Sequence, residues 1–293
     1  MKHSVIILTK QSTLDYETSK LLANFIAVGI DVSVCQFINF DIVINQPIRY
    51  NGEDFKNPNL VLVRLGAGIT SVELAVIRYF ESHGIPCINH SDSINIVQNK
   101  FHTSQILSAA NIAVPTTMLV HFPITNDLIA TQIGFPCVIK VLVGSFGEGV
   151  YLCHSDSEYK KLIEFLKNLD NDKTLLVQEF INDQPGVDLR VFVVGNKVLG
   201  AMKRTAPPND FRANITIGGT GESFPVSTEI ADIALATTQA LGLEIAGIDL
   251  LFDKRGFRVC EANSNPGFNG FDFYCGTDIA KEIVDYIVNR LSE

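Results

Sequence analysis

The sequence predicts an α/β fold that becomes α+β along the chain: an open parallel sheet first, then two subdomains with antiparallel strands. Three observations carry this. Through the first third, short apolar strands alternate with amphipathic helices, the pattern of a parallel sheet with helical crossovers. The last third instead joins long apolar strands through tight turns. Finally, 293 residues exceed one compact core, so two or three units are expected, drawn as three at 1–95, 96–175 and 176–293.

The elements follow in order. "SVIIL" is a short buried strand, "DYETSKLLANFIAVGI" has helical apolar spacing, and "DVSVCQF" returns to strand. "IRYNGEDF" carries an Asn-Gly pair, the mark of a tight hairpin. "PNLVLVRLG" is a further strand, "SVELAVIRYFESHGI" a helix closed by Gly84, and "PCIN" follows. "HSDSINIVQNKFHTSQILSAANI" reads as helix, with Ser91 or Asp92 as cap. The middle unit runs strand ("TTMLVH"), helix, strand ("PCVIKVLV"), glycine loop, strand ("GVYLC") and helix ("DSEYKKLIEFLKNL"). In the last unit "TLLVQEFI" is a strand and "DLRVFVVGNKVLGAMKR" a hairpin turning at Gly195-Asn196. "PVSTEIADIALATTQALGL" is a helix, "IAGIDLLFDKRGFRVCEAN" a second hairpin and "DIAKEIVDYIVNRL" the closing helix.

Composition narrows the function. With 32 acidic against 23 basic residues the net charge is −9, which repels bulk nucleic acid and anionic lipid but leaves room for a local basic pocket. No apolar run is long enough to span a bilayer. Gln11 and Asp15 interrupt the start too early for a secretory h-region, so a cytoplasmic protein is expected. The six cysteines hold no C-x-x-C and read as reduced core thiols. The six histidines show no zinc-ligand spacing.

The chemistry concentrates late. If the second hairpin turns through Lys254-Arg255-Gly256, Asp249 faces Glu261, and Asn263 shares their face two residues on. Opposed carboxylates destabilise a sheet. A hard cation removes the penalty, and Mg²⁺ takes oxygen ligands shared between carboxylates and phosphate. The three residues thus read either as a seat for one or two Mg²⁺ ions or as solvated edge acids. Upstream, Lys140 ends an apolar strand before Gly144, Gly147 and Gly149. That spacing suits a strand-loop-strand flap over phosphates, or equally a plain glycine turn. A Lys in an apolar run needs a partner, and a phosphate would serve. Backbone near Phe180 and Ile181, after Glu179, could pair with an adenine edge; Asp188 could take a ribose hydroxyl or a phosphate-side cation. Arg190 and Arg204 lie on the first hairpin. Arg212 and Asn214 sit in the polar run Ala206–Gly221, which reads as a lid.

Taken in order, "NKFHTSQILSAANIAVPTT", "VIKVLVGSFGEGVYL", "VQEFI", "DLRVFVVGNKVLGAMKR", "DFRAN", "AGIDLL" and "VCEANSNPGFNG" resemble the ATP-grasp superfamily, most of all its RimK-type amino-acid ligases. The likeness runs through essentially the whole chain. It implies ATP held between the middle and last units. Lys100 and Lys140 match phosphate-contacting lysines, and the loop with Gly144, Ser145, Gly147 and Gly149 matches the phosphate flap. Glu179 and Phe180, with Ile181, match the adenine hinge, and Asp188 the ribose-side acid, near Arg190. Arg212 and Asn214 match the catalytic-loop pair, with Arg204 beside them. Asp249, Glu261 and Asn263 match the ligands of two Mg²⁺ or Mn²⁺ ions. The family's reaction phosphorylates a carboxylate with ATP, and an amine then attacks the acyl phosphate.

The resemblance also implies partners: an amino acid, glutamate favoured, and a carboxylate acceptor such as a ribosomal or carrier protein. A homo-oligomer is expected, since relatives are often tetramers. Three positions depart from the family. Thr205 stands where a second Arg is frequent, Ile217 where RimK-type chains are usually basic, and Asn269 where an acid is common. Each removes charge on the acceptor side, so another amino acid or a small-molecule acceptor stays open. "GSFG" is close to the "GSWG" loop of LysX-type ligases acting on a carrier protein. Two rivals remain: an ATP-grasp small-molecule kinase, and a nucleotide-binding module without turnover.

Overall fold

A computed structural model describes residues 3–66, 68–121, 126–141, 149–169 and 174–292. The first unit is a parallel sheet. Its elements are β1 (Ser4–Thr9), α1 (Tyr16–Ala27), β2 (Asp31–Gln36), β3 (Phe40–Asp41), β4 (Arg49–Tyr50), β5 (Glu53–Asp54), β6 (Leu60–Arg64), α2 (Ser71–Ser82) and β7 (Cys87–Ile88). The strand order is β2-β1-β6-β7, all parallel. Asp15 caps α1 by accepting from Thr18 N at 2.7 Å, and Thr70 with Glu73 forms a capping box on α2. The Asn-Gly signal holds: Asn51 and Gly52 have φ of 53° and 79°, as a two-residue hairpin between β4 and β5 requires.

The helical run after β7 is two helices, α3 (Ser91–Gln98) and α4 (Lys100–Ala109). The cap of α3 is His90, not Ser91 or Asp92. Asn99 then stops one helix and starts the next, accepting from Phe101 N and His102 N, both at 3.1 Å. An Asn side chain that offers the backbone a local partner is a natural break point. The break puts Lys100 at the first position of α4.

The central sheet comprises β8 (Thr117–Val120), α5 (Asn126–Gln132), β9 (Cys137–Val141), β10 (Val150–Cys153), α6 (Asp156–Leu169) and β11 (Leu175–Glu179). Its order is β10-β9-β11-β8, antiparallel throughout. Leu175–Glu179 thus completes the central sheet, and a boundary at 175/176 cuts it at its first residue. Gly144, Ser145 and Gly147 lie outside the described residues.

The last unit contains β12 (Val187–Val194), β13 (Lys197–Thr205), β14 (Thr220–Phe224), α7 (Thr228–Leu241), β15 (Ile245–Asp253), β16 (Gly256–Asn263), α8 (Asn269–Cys275) and α9 (Ile279–Ser292). The order is β14-β13-β12-β15-β16. Strand alternation sends Leu189, Val191, Ile248 and Leu250 to one face, against α4 and α7. The other face sends Phe192, Val194, Met202 and Ile245 into a core shared with α8, α9 and Val5, Ile7 and Leu21 of the first unit. The polar run after β13 is shorter than expected: a 3-10 turn covers Ile215–Ile217 and β14 begins at Thr220. All six cysteines are free thiols, four of them buried.

Candidate active site

The face that meets the first unit changes character along its strands. Two or four residues beyond Phe192, Met202 and Ile245, the same alternation presents Asp188, Arg190, Arg204 and Asp249. The ladder sets Asp188 opposite Arg204 and Arg190 opposite Asp249. Their side chains close a buried, neutral quartet. Arg204 donates through Nε and Nη2 to the two oxygens of Asp188, each at 2.7 Å. Its Nη2 also lies 3.0 Å from Asp249 Oδ2. Arg190 forks onto Asp249 through Nε and through Nη2, the latter at 2.8 Å. Burial opposes ionisation of Asp249, but the Arg190 and Arg204 charges outweigh it and hold its carboxyl below the usual range. Burial likewise opposes the charge on Arg204, and Asp249 with Asp188 more than restores it.

Asp249 and Glu261 are indeed paired across β15 and β16. The route to that register differs from the expected three-residue loop. Asp253 pairs with Gly256, so the turn has two residues, and a bulge at Cys260 restores the register before Glu261. The pairing also survives for a different reason. Asp249 is satisfied by two arginines, and Glu261 Oε1 sits 3.3 Å from Lys100 Nζ. Proximity of the two acids therefore does not by itself demand a cation, which corrects that step of the sequence argument.

These groups line a cleft between the central and C-terminal sheets. Val138 and Val150 wall one side, Leu251 the other, and Phe180 and Ile181 join them. Lys140 reaches in from β9, where Gln178 Oε1 accepts from its Nζ at 2.7 Å and Cys260 Sγ lies 3.8 Å away. The partner inferred for Lys140 is thus supplied first by a neutral amide. Burial pushes the Cys260 thiol above its ordinary range. Glu179 is held by Arg258 Nη1 at 3.0 Å and by Thr116 N at 3.1 Å. Arg212 and Asn214 line the cleft, and Asp210 chelates Arg212 through Nε and Nη2 at 3.0 and 2.7 Å. That contact depresses the Asp210 carboxyl to about 2.

The cleft therefore gathers Lys100, Lys140, Glu179, Phe180, Ile181, Asp188, Arg204, Arg212, Asn214, Asp249 and Glu261 from the residues singled out in the sequence. Arg190 supports Asp249 without lining the cleft. Asn263 is not among the residues that line the cleft; its Nδ2 donates to Gly247 O at 3.4 Å. Gly149 has φ of 68° and starts the turn into β10. Gln178, Asp210, Phe211, Arg258 and Cys260 had not been singled out. Asp210 was within reach, since an Asp two residues before an Arg is a local chelate; the others are set by long-range packing.

Comparison with known proteins fits this geometry. The family model described as RimK PreATP-grasp domain matches residues 3–94, and the RimK-like ATP-grasp domain matches 97–287. The chain belongs to the RimK-type ATP-grasp family. A probable alpha-L-glutamate ligase of Vibrio atlanticus is 39% identical over 97% of this chain and 94% of its own length. One of Coxiella burnetii is 36% identical over 96% and 94%. Among solved structures, a RimK domain ATP-grasp protein of Sphaerobacter thermophilus superposes with TM-score 0.74 at 21% identity, covering 96% of this chain and 98% of that one. The ATP-grasp ligase PsnB, complexed with a minimal precursor, gives 0.78 at 19%, covering 100% and 99%. The last two establish the ATP-grasp fold.

For the metal such a RimK-type site implies, donor chemistry is the test. Glu261 offers a carboxylate whose side chain is 35% exposed. Asn263 turns its Nδ2 to Gly247, which leaves its Oδ1 for a cation. Both Asp249 oxygens are engaged by Arg190 and Arg204, so Asp249 can serve a cation only where these release it. An all-oxygen set of two carboxylates and one carboxamide suits Mg²⁺ or Mn²⁺.

Proposed function

We propose that this RimK-type chain is an ATP-dependent ligase that joins an amino acid, glutamate favoured, to a carboxylate acceptor through an acyl phosphate. The observation that carries the reading is the cleft itself: apolar side chains that suit a purine, with Lys100, Lys140, Arg204, Arg212, Asp249 and Glu261 in the same lining. A triphosphate fits that lining.

In this reading Val138, Val150, Phe180, Ile181 and Leu251 sandwich the base. Lys140 gives up Gln178, a neutral partner, for a phosphate oxygen, a stronger charge-assisted bond. Lys100 does the same from Glu261, which frees that carboxylate. Asp249, Glu261 and Asn263 would hold two divalent ions. Such ions, when bound, neutralise phosphate charge and polarise the transferred group. Arg204 and Arg212 would stabilise the phosphoryl group and then the tetrahedral centre formed when the amine attacks. Asn214 and Phe211 close the lid over the acyl phosphate and exclude water. No side-chain nucleophile is required.

The expected acceptor is the C-terminal carboxylate of a protein or a small acid. The glutamate reading is supported by the names carried by relatives at 36–39% identity. The test is ADP and phosphate release with ATP, Mg²⁺, each of the twenty amino acids and a cell extract, read together with product mass. A ligase needs both an acid and an amine and frees phosphate. A kinase keeps phosphate on its product, and a binding module shows no turnover.

A further inference from the structure

Arg64 is the last residue of β6. It lies at the carboxyl edge of the parallel sheet, beside β1, where successive strands are added on opposite sides. Open α/β sheets place ligands at that switch point. Arg64 is 9% exposed, yet among the described residues no carboxylate comes within 4.0 Å of it. Nη1 and Nη2 both donate to one carbonyl, Pro266 O, at 3.3 and 3.2 Å, and the guanidinium lies over the Phe268 ring, 5.6 Å from its centroid. Its Nε donates to nothing described. Glu17, one of the two acids whose field acts on it, is used otherwise: its Oε1 accepts from Phe268 N and Asn269 N at 3.1 and 3.2 Å. Lys10, at the end of the neighbouring strand, is ion-paired with Glu73 at 2.9 Å. Burial therefore costs Arg64 what it does not cost Lys10, and lowers its guanidinium to about 10 against the milder pull of Glu17 and Asp15.

Burying a charge is costly, and a pairing anion offsets that cost. The place fits. Pro266 follows Glu261 and Asn263 by a few residues, and a Cβ on Gly247 would come within 2.9 Å of Pro266 Cβ and 3.0 Å of Arg190 Cδ. Pro266 thus meets Arg64 through its carbonyl and packs close to Gly247, which lies two residues before Asp249 and beside Arg190. One residue before it, Asn265 Oδ1 is buried with no hydrogen-bond partner, an unused acceptor for an N–H group. We propose that Arg64 is the specificity residue for the incoming amino acid, binding one of its carboxylates, with Asn265 Oδ1 accepting from its nitrogen. This rests on the ligase reading and adds which residues choose an acidic amino acid.

The test is calorimetric titration of L-glutamate, L-glutamine and L-isoglutamine into the protein holding a non-hydrolysable ATP analogue and Mg²⁺, for wild type, R64Q and R64K. Expected is a wild-type preference of roughly ten-fold or more for L-glutamate over one of the two amides. In R64Q that preference falls to near one while affinity for the ATP analogue stays unchanged. An R64Q protein that keeps the wild-type ratio, or weakens all three ligands alike, makes Arg64 a structural tie to Pro266 and overturns the proposal. If R64Q does not fold, R64K decides: its single ammonium loses the fork, so a ratio reduced by about three-fold or more supports the proposal and an unchanged ratio sinks it. Wild-type turnover without any carboxylate preference removes this inference and leaves the ligase standing; absence of ADP release with every acid–amine pair removes both.

Discussion

Asp249 and Glu261 share one rung of the β15–β16 ladder, and their surroundings could hardly differ more. Asp249 is 5% exposed and gripped by two guanidiniums. Glu261 is over a third exposed at its side chain and meets the Lys100 ammonium at 3.3 Å. The first acid is part of the fold before it is part of any chemistry; the second is nearly free to trade partners. Equal assignment as metal ligands thus conceals unequal structural debts, and mutations at the two positions should separate them.

The largest effect belongs to Asp249→Ala. It leaves Arg190 and Arg204 buried with one carboxylate, Asp188, between them. Breaking a buried pair from one side costs about 3–5 kcal/mol, so a marked fall in the urea midpoint should accompany loss of ADP release. A variant with full stability would show that the arginines find other partners. Next comes Glu261→Gln. Turnover should drop by roughly 10²-fold or more, while the unfolding free energy from urea titration changes by less than about 1 kcal/mol, as for other exposed pairs. Equal destabilisation of the two variants would erase the contrast.

Lys140→Met probes the same exchange of partners on the opposite wall. Its bond to Gln178 is neutral at the acceptor, so its removal should be mild for the fold. ATP affinity should weaken about ten-fold, the worth of one charge-assisted hydrogen bond. Nucleotide titration that finds wild-type affinity would assign Lys140 to the Gln178–Thr117 network instead, which Gln178 Nε2 extends at 2.8 Å.

Much of this was readable from the residues, for physical reasons that also explain the gaps. Period-2 alternation placed Asp249, Glu261 and Asn263 on one face, and Asn51-Gly52 announced its turn. The Cys260 bulge was invisible, and two errors cancelled: a loop one residue too long compensated for a bulge not foreseen. β14, "TGESF", carries no apolar alternation that announces a strand; it is an edge strand that pairs with β13. "NGFDFYC" looks like loop after Pro266-Gly267; it is helix α8 because Phe271 is drawn into the core against Phe192, ring centroids 5.5 Å apart. The arginine partners of Asp249 lie on other strands, 59 and 45 positions away in sequence, and pairing at that distance leaves no local signature.

The smallest effect concerns Asp210 and Arg212, a third acid–base pair that sits within one loop and is partly exposed. Its carboxyl is held at about 2, below the ordinary value, by the Arg212 hydrogen bonds. A depressed folded-state pKa stabilises above the unfolded value, near pH 4, and the gain is lost as pH falls through about 2. Solvent screening limits that gain to under about 1 kcal/mol. Asp210→Asn should therefore melt slightly below wild type at pH 7, and the gap should close as pH approaches 2. Its kinetic effect is the larger: an Arg212 without its chelate is no longer pre-aimed, and turnover at neutral pH should fall about ten-fold with the KM for ATP little changed. A variant with wild-type turnover would mean that Arg212 is aimed by the substrate, and that a loop pair differs from the buried quartet in kind and not only in depth.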